Sequence, residues 1–415
     1  MELSETALQL LKELITGESL ARPELSRRLS VTAPTVGTGL RELQSSGFVV
    51  QTGSSKGALG RTAALYGLSP KAGWVLGVDF GSTKIVISAR DLSGAPLGVQ
   101  QHPAGSVTES VHGPAESLLE AATDQIARLT GSFGATHGPL LGVGIALPHV
   151  VPNKLSYDTY ILWDGKPVQI GSLLERIGIP VGVPVLLENN TNCAALAELA
   201  EGRAVNSQNF VYLQVGVRIG AGIVSDGRLH RGAHGAGGEL ALMPFPFAPA
   251  QSGDTVTLGL ETYVGSEPLM QRVRSGWTDP STAQPGDVKE LFALAETGHG
   301  ISRDFTSRHV LDVARVALSM IAILDPDMIV LGGGVGQNPL LAAQVRTLVN
   351  GINHEIDVVP SSLGDRGTAE GAAFLACEFA RMRILGERRY SSTIAANRSI
   401  VVLPAGQPAI SPVSV

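Results

Sequence analysis

Apolar residues recur at helical spacing from the start of the chain. Ala7, Leu8, Leu11, Leu14 and Ile15 share one face of residues 5–15 and Gly17 follows, which predicts a short amphipathic helix. A second helix opens at Arg22-Pro23 with Leu25 and Leu29 inward. A third runs from Thr32-Ala33-Pro34-Thr35 to Leu43, with Val36, Leu40 and Leu43 inward. Only Ser30-Val31 separates these two, the spacing of a helix-turn-helix. Phe48-Val49-Val50 and residues 63–68 then read as two strands around the Gly/Ser-rich, lysine-bearing loop 52–60, which makes a wing.

After Ser69-Pro70-Lys71 the period changes. Residues 74–88 form two β-rich runs around a Gly-Ser-Thr turn, and residues 210–227 repeat the strand, glycine turn, strand theme around Gly216-Val217-Arg218. Between them the pattern predicts a hairpin turn at Asp91-Leu92-Ser93-Gly94, a helix over 113–130, a buried strand over 140–147 and a helix over 170–177. The apolar run 183–187 leads into the polar turn Glu188-Asn189-Asn190-Thr191-Asn192 and an Ala-rich helix over 193–200. Helical periods return at 288–295 and 305–324. A strand over 327–332 enters the turn Gly332-Gly333-Gly334, and residues 369–382 form a long Ala-rich helix. In an open α/β sheet the loop at the carboxyl end of a strand faces the ligand crevice, so the polar turn after 187 predicts a hydrogen-bonding cluster for a polyhydroxylated ligand, a sugar. An isolated Asn-Asn pair would instead cap the following helix.

Composition sharpens this picture at two points. A length of 415 residues leaves room for two or three domains, and 44% hydrophobic with 16% charged residues excludes disorder as the main state. The net charge of -6 gives no global basic field, so any nucleic-acid contact must come from a local patch. Residues 19–61 supply one: Arg22, Arg27, Arg28, Arg41, Lys56 and Arg61 stand against only Glu24 and Glu42, a local balance of +4. Thr32, Thr35 and Thr38 put small hydroxyls on the third helix, which let it enter a major groove and reach phosphates or base edges. Two cysteines, Cys193 and Cys377, supply neither a disulfide framework nor a Cys-rich metal site. With an acidic N-terminus and no 18-residue apolar run, the expectation is a soluble cytoplasmic protein without a membrane partner.

The polar turn resembles the Glu-Asn-Asp-x-Asn signature of the ROK family of repressors, open reading frames and sugar kinases. Several further stretches are similar: Gly60-Arg61 in the wing; the turn Asp79 to Lys84, like the first phosphate loop of the actin-like ATPase fold; Tyr160 to Gly165; Gly238-Glu239-Leu240-Ala241-Leu242, like Gly-Glu-x-Gly-His; and Gly259-Leu260-Glu261-Thr262-Tyr263. The resemblance implies an α/β chain with an N-terminal winged helix-turn-helix followed by a two-lobed actin-like ATPase (ribonuclease H-like) sugar-kinase fold. Its expected divisions are 1–70 for the DNA-binding domain, 71–200 for the first lobe with a returning helix near 369–385, 201–368 for the second lobe, and a tail from 386 to 415.

The resemblance also implies sugar contacts at Asn189, Asn190, Glu239 and Glu261, with His149 at the cleft. Asn190 stands where the family places its catalytic Asp, and an amide has no lone pair able to take a hydroxyl proton near neutral pH. Val217 and Arg218 replace a hydroxyl and a glycine of the second phosphate loop, where phosphate needs open backbone. Arg218 can alternatively hold an anionic group. Leu242 stands at the position of the zinc-binding His, and residues 251–259 lack the family's cysteines. The expectation is therefore no catalytic residue, no metal and no cofactor. The reading is a sugar-responsive, DNA-binding transcriptional regulator whose partners are a double-stranded DNA operator, a small-molecule sugar effector and further copies of itself, as a homodimer or dimer of dimers. The alternatives are an ATP-dependent ROK sugar kinase with a DNA-binding appendage and a sugar-binding scaffold. With Asn189 and Asn190 assigned to the first lobe and Glu239 and Glu261 to the second, a bound sugar would tie the lobes together.

Overall fold

A computed structural model describes residues 3–56, 62–81, 84–103, 116–163, 166–245, 259–351, 355–386 and 400–402. The N-terminal elements are α1 (Glu5–Leu14), β1 (Leu20–Ala21), α2 (Arg22–Leu29), α3 (Ala33–Ser45), β2 (Val49–Lys56) and β3 (Thr62–Leu68), with the strands ordered β1-β3-β2. Ser4 caps α1 by accepting from the Ala7 N–H, while its own N–H and hydroxyl both donate to the Glu42 carboxylate, which pins α1 to α3. Ala7, Leu10, Leu11 and Leu14 form the fully buried face of α1, so Leu10 takes the place that the periodicity gave to Leu8. These residues pack with Leu25, Leu40, Leu43 and Tyr66 in one core. The short β1, which pairs Leu20 with Tyr66, is not foreseen by the periodicity because two residues carry no alternation to detect.

Next come β4 (Trp74–Phe80), β5 (Lys84–Asp91), β6 (Pro96–Pro103), α4 (Glu116–His137), β7 (Leu140–Leu147), β8 (Tyr160–Trp163), β9 (Lys166–Gln169), α5 (Ile170–Arg176), β10 (Pro184–Asn189) and α6 (Asn190–Glu201). A six-stranded sheet is ordered Ile400–Val402, β10, β7, β4, β5, β6. β4 lies parallel to β7 and antiparallel to β5, and six of its seven residues are buried, as a central strand covered on both faces requires. The tail contributes Ile400–Val402 as an antiparallel edge strand on β10.

The remaining elements are β11 (Phe210–Val215), β12 (Ile219–Ser225), β13 (Arg228–Leu229), α7 (Glu261–Val264), α8 (Ser266–Gly276), α9 (Val288–Glu296), α10 (Gly300–Leu324), β14 (Met328–Gly332), α11 (Gly333–Gly336), α12 (Pro339–Asn350), β15 (Asp357–Pro360) and α13 (Gly367–Leu385). The second sheet is ordered β13-β12-β11-β14-β15. In each sheet the first strand in the chain is central, the second and third continue to one side, and the fourth and fifth lie on the other. The glycine-turn repeat read from residues 74–88 and 210–227 is thus a repeat of topology.

By contact clustering the chain divides into two units: Met1–Pro148 with Lys154–Glu188 and Ala372–Val415, and His149–Asn153 with Asn189–Gly371. The winged helix therefore clusters with the first sheet, and α6 belongs to the second unit rather than to the first lobe ending at 200. The physical reason is the face that α6 buries. Ala194 and Ala195 share a core with Phe210, Tyr212 and Val224, and a Cβ on Gly222 of β12 would stand 2.6 Å from the Ala195 methyl. Asn189, Asn190, Glu239 and Glu261 consequently all lie in one unit, which corrects the expectation that they divide between two lobes.

Within the first unit, Ile384 and Leu385 at the end of α13 pack against the winged-helix core. Truncating both to Ala should destabilise that domain by about 1–2 kcal/mol, below the usual core value because both are half-buried. Thermal unfolding followed in the N-terminal region checks this; an unchanged midpoint would show that the helix end is not part of the core.

Candidate functional site

The exposed face of α3 is built from its capping residues outward. Thr32 is the N-cap, its hydroxyl accepting from the Thr35 N–H and lying 2.8 Å from the Thr35 hydroxyl. Thr38 donates to the Pro34 carbonyl at 3.2 Å and accepts from the Arg41 guanidinium at 3.1 Å. Thr32, Thr38 and Arg41 are exposed and Thr35 half-buried, so one polar strip of α3 faces solvent while Val36, Leu40 and Leu43 face the core.

The local charge of +4 is largely answered inside the fold. Arg28 pairs with Glu13, Glu18 and Glu24, and Arg27 pairs with Glu24. Glu13 and Glu18 lie just outside the window from which that balance was drawn. Hydrogen bonds from Arg27 and then Arg28 push the Glu24 carboxyl down to about 2, so these pairs persist throughout the neutral range. Arg22 donates to the Tyr66 hydroxyl at 2.7 Å and lies over that ring. The cations left for a polyanion are Arg41, at the solvent face of α3, and Lys56, whose backbone ends β2 opposite Thr62. Arg61 lies outside the described residues.

The second constellation starts at the β10–α6 junction. No loop separates strand from helix: β10 runs through Asn189 and α6 begins at Asn190. The Asn189 carbonyl oxygen accepts from the N–H groups of Thr191 and Asn192, and its amide nitrogen donates to the His149 carbonyl at 3.2 Å. Asn189 is thus a helix cap tied to the chain after β7, so its side chain has no group left over for a ligand. Asn190 accepts from the Thr191 N–H at 2.8 Å through its oxygen, which leaves its NH₂ as the donor at the junction. His149 enters this arrangement through its backbone carbonyl.

Glu239 follows a backbone constraint. Gly238 has φ +86°, and a Cβ there would stand 1.9 Å from the Ala221 carbonyl oxygen, so only glycine lets the loop lie on β12. Glu239 is half-buried and opens a short 3-10 turn over Leu240–Leu242 without capping it. Burial, and then the neighbouring Glu261 charge, raise its carboxyl above the ordinary range, while Arg218 acts in the opposite direction. Glu261 stands in the first turn of α7. That turn is held by Arg272, which donates to the Tyr263 carbonyl at 2.8 Å and lies 4.0 Å over the Tyr263 ring. Arg272 and the buried Arg231, which holds Asn153 at 2.7 Å and the Val151 carbonyl at 3.0 Å, are organising residues that sequence reasoning missed. Neither belongs to a recognisable motif.

The β11–β12 turn does not offer an open phosphate cradle. The Gly216 N–H, the group such a cradle needs, donates to the Arg218 carbonyl at 3.1 Å. Beside the Gly332–Gly334 segment, read from sequence as scaffold, lies a cavity of about 550 Å³ lined by Val288, Phe292, Val335, Asn338, Pro339 and Leu340. The family's zinc does not fit these residues: Leu242 occupies the His position, no cysteine lies between 194 and 376, and no three His, Cys, Asp or Glu side chains converge among the described residues. Among the described residues no helix is long and apolar enough to cross a membrane.

A family model described as ROK matches residues 75–378. The xylose repressor of Bacillus spizizenii is 24% identical over 388 residues, covering 89% of this chain and 94% of that protein. A crystal structure of a ROK family transcriptional regulator, a homolog of the E. coli MLC protein, superposes with a TM-score of 0.67 at 20% identity, over 92% of this chain and 99% of the other. The ROK hexokinase of Thermus thermophilus gives 0.55 at 27% identity, over 72% of this chain and 96% of its own.

Two substitutions separate a cap from a ligand group. Asn189→Ala should cost about 1 kcal/mol of stability through the lost α6 cap. Glu239→Gln should stabilise, with a definite pH dependence. Because the folded-state carboxyl titrates above its unfolded range, its favourable contribution is complete at low pH and is lost as pH rises through the folded value. The gain in melting temperature of Glu239→Gln over wild type should therefore grow through the carboxylate range and then level off; a gain that shrinks with rising pH would contradict the assignment.

Proposed function

The chain belongs to the ROK family, and we propose that within it this protein is a sugar-responsive, DNA-binding transcriptional regulator, a repressor of carbohydrate-utilisation genes that binds a sugar without phosphorylating it. The observation that carries the reading is Asn190. It presents an amide at the position of the family's catalytic base, at a junction where its own oxygen already accepts from the Thr191 N–H. Phosphoryl transfer from a sugar hydroxyl needs a group that takes the proton, and none is supplied. The inward-turned Gly216 N–H supports the same conclusion from the nucleotide side. The 550 Å³ cavity beside Gly332–Gly334 favours the kinase reading in one respect, since it could hold a nucleoside, but it brings neither a base nor a phosphate cradle.

The DNA half of the proposal rests on α3 and the wing. The match to the xylose repressor spans the winged helix as well as the sugar-kinase fold, whereas the hexokinase match covers a smaller share of this chain. Thr35, Thr38 and Arg41 would read the major groove, with Thr32 holding the helix start, and Lys56 and Arg61 would contact phosphate or minor groove from the wing. As a dimer or dimer of dimers the protein would require a palindromic operator with half-sites separated by whole turns. The sugar contacts are Asn190, Glu239 and Glu261, beside the His149 carbonyl, and xylose is the first effector to test.

Sugar binding should change operator affinity. A coupling of about 1–3 kcal/mol, which corresponds to roughly 5- to 150-fold, suffices for regulation. Gel shifts with the protein's own upstream region, titrated with sugars, should show this response, and Glu239→Ala should abolish it while leaving DNA binding intact. Arg61→Ala should weaken all sequences and lower the salt dependence, whereas Thr35→Ala should relax specificity. Sugar-dependent ADP release at ordinary enzyme rates, surviving repurification, would instead establish the kinase.

A further inference from the structure

Arg218 is absent from the sugar contacts named so far, yet three segments of the second unit are stitched together around it. The loop bearing Glu239 is bonded to β12, the Ala221 N–H donating to the Gly238 carbonyl at 2.9 Å. The residues ahead of Glu261 are bonded to those following Glu239, through the Leu260 N–H on the Met243 carbonyl at 2.9 Å and a Pro244–Gly259 bridge. The chain after Glu261 returns to the turn itself. There the Ser266 N–H donates to the Gly216 carbonyl at 2.8 Å, and a Cβ on Gly265 would stand 2.9 Å from the Val217 carbonyl oxygen. This closed circuit of backbone contacts brings one guanidinium and two carboxylates to the same place.

We propose that Arg218 is a specificity-determining residue of the sugar site: the built-in counter-cation of the Glu239–Glu261 pair, which fits the site to an uncharged aldose or polyol and excludes sugar acids and sugar phosphates. The inference rests on the sugar reading above. Two carboxylates serve as acceptors for ligand hydroxyls only while both stay ionised, and like charges held together favour protonation of one of them. The charged groups that bear on Glu239 are Glu261 from α7 and Arg218 from the β11–β12 turn, and Arg218 opposes both burial and Glu261. Other charges nearby are committed elsewhere or face solvent: Arg231 to Asn153, Arg272 to the Tyr263 carbonyl, Glu267 to Arg274, while His234 is exposed. The trio sums to one negative charge. A ligand carboxylate or phosphate meets net repulsion there, whereas neutral hydroxyls find two strong acceptors.

The test is calorimetry on the full-length protein with xylose and glucose against glucuronate and glucose 6-phosphate, repeated across the acid-to-neutral range. Neutral sugars should bind at least about tenfold more tightly than the acid or the phosphate, a difference of about one unit charge contact. Arg218→Met, checked for an unchanged melting temperature, should move the acid-side loss of sugar affinity to higher pH, and Arg218→Lys should restore the wild-type profile. Tighter binding of glucuronate or glucose 6-phosphate than of glucose would overturn the proposal, as would a pH profile unmoved in Arg218→Met while neutral sugars still bind. If no sugar binds wild type at any pH, the sugar reading itself falls and this inference with it.

Discussion

The packing of α6 on the β11–β12 hairpin is the constraint on which the ligand site depends. It requires glycine at 222, where the Ala195 methyl and the Thr191 carbonyl leave no room for a side chain. With the helix seated this closely, the β10–α6 junction has no slack, and the strand passes into the helix within one residue. Asn189 must then satisfy the first free N–H groups of α6, and it does so with both ends of its amide engaged. The neighbouring Asn190 keeps a donor free because Asn189 carries the cap. On the other side of the hairpin, Ala221 fixes the Gly238–Glu239 loop through one backbone bond and one glycine in the left-handed region.

How much of this was legible in the sequence depends on whether the signal was periodic. The three N-terminal helices, the paired hairpins and the central strands follow from apolar spacing, and the duplicated glycine-turn theme anticipates two sheets of the same strand order. Periodicity failed where the determinant was a contact distant in sequence. Residues 188–192 carry five polar side chains and look like a loop, but their conformation is set by the surface beneath α6. Leu10 outranks Leu8 because α3 lies over it, and the Ile400–Val402 strand exists because β10 has an edge to pair with. Motif resemblance located Glu239 and Glu261. It could not reveal Arg231 and Arg272, which act by holding carbonyls in place and have no preferred partner in sequence.

Charge in the winged helix makes the same point for electrostatics. A count over a window treats every arginine as available, whereas Arg28 meets three carboxylates and Arg22 lies on Tyr66. Exposed pairs of this kind add little stability, but they remove cations from the surface offered to DNA. What remains is directional: threonine hydroxyls and Arg41 along one strip of α3. Specificity then rests on base-edge contacts and helix placement more than on bulk attraction, which suits a chain whose overall charge is negative.

The two halves of the function meet a common requirement in α13. Its first residues, Gly367 to Gly371, cluster with the unit that holds Asn190, Glu239 and Glu261, and its last, Ile384 and Leu385, complete the core beneath α3. Between them Arg381 holds the Leu92 carbonyl of the β5–β6 turn at 2.9 Å, and Ser93 of that turn lies beside Gly17, where α1 gives way to β1. A helix is stiff along its axis, so displacement at one end is carried to the other rather than dissipated. A sugar shifts the DNA-binding state only by the difference in its affinity for two conformations, and that difference must be expressed through elements whose packing has discrete alternatives. The buried end of α13 is such an element. Ile384 and Leu385 either fill the winged-helix core or leave it short of apolar contact, and the cost of the second state bounds the coupling that this route can transmit.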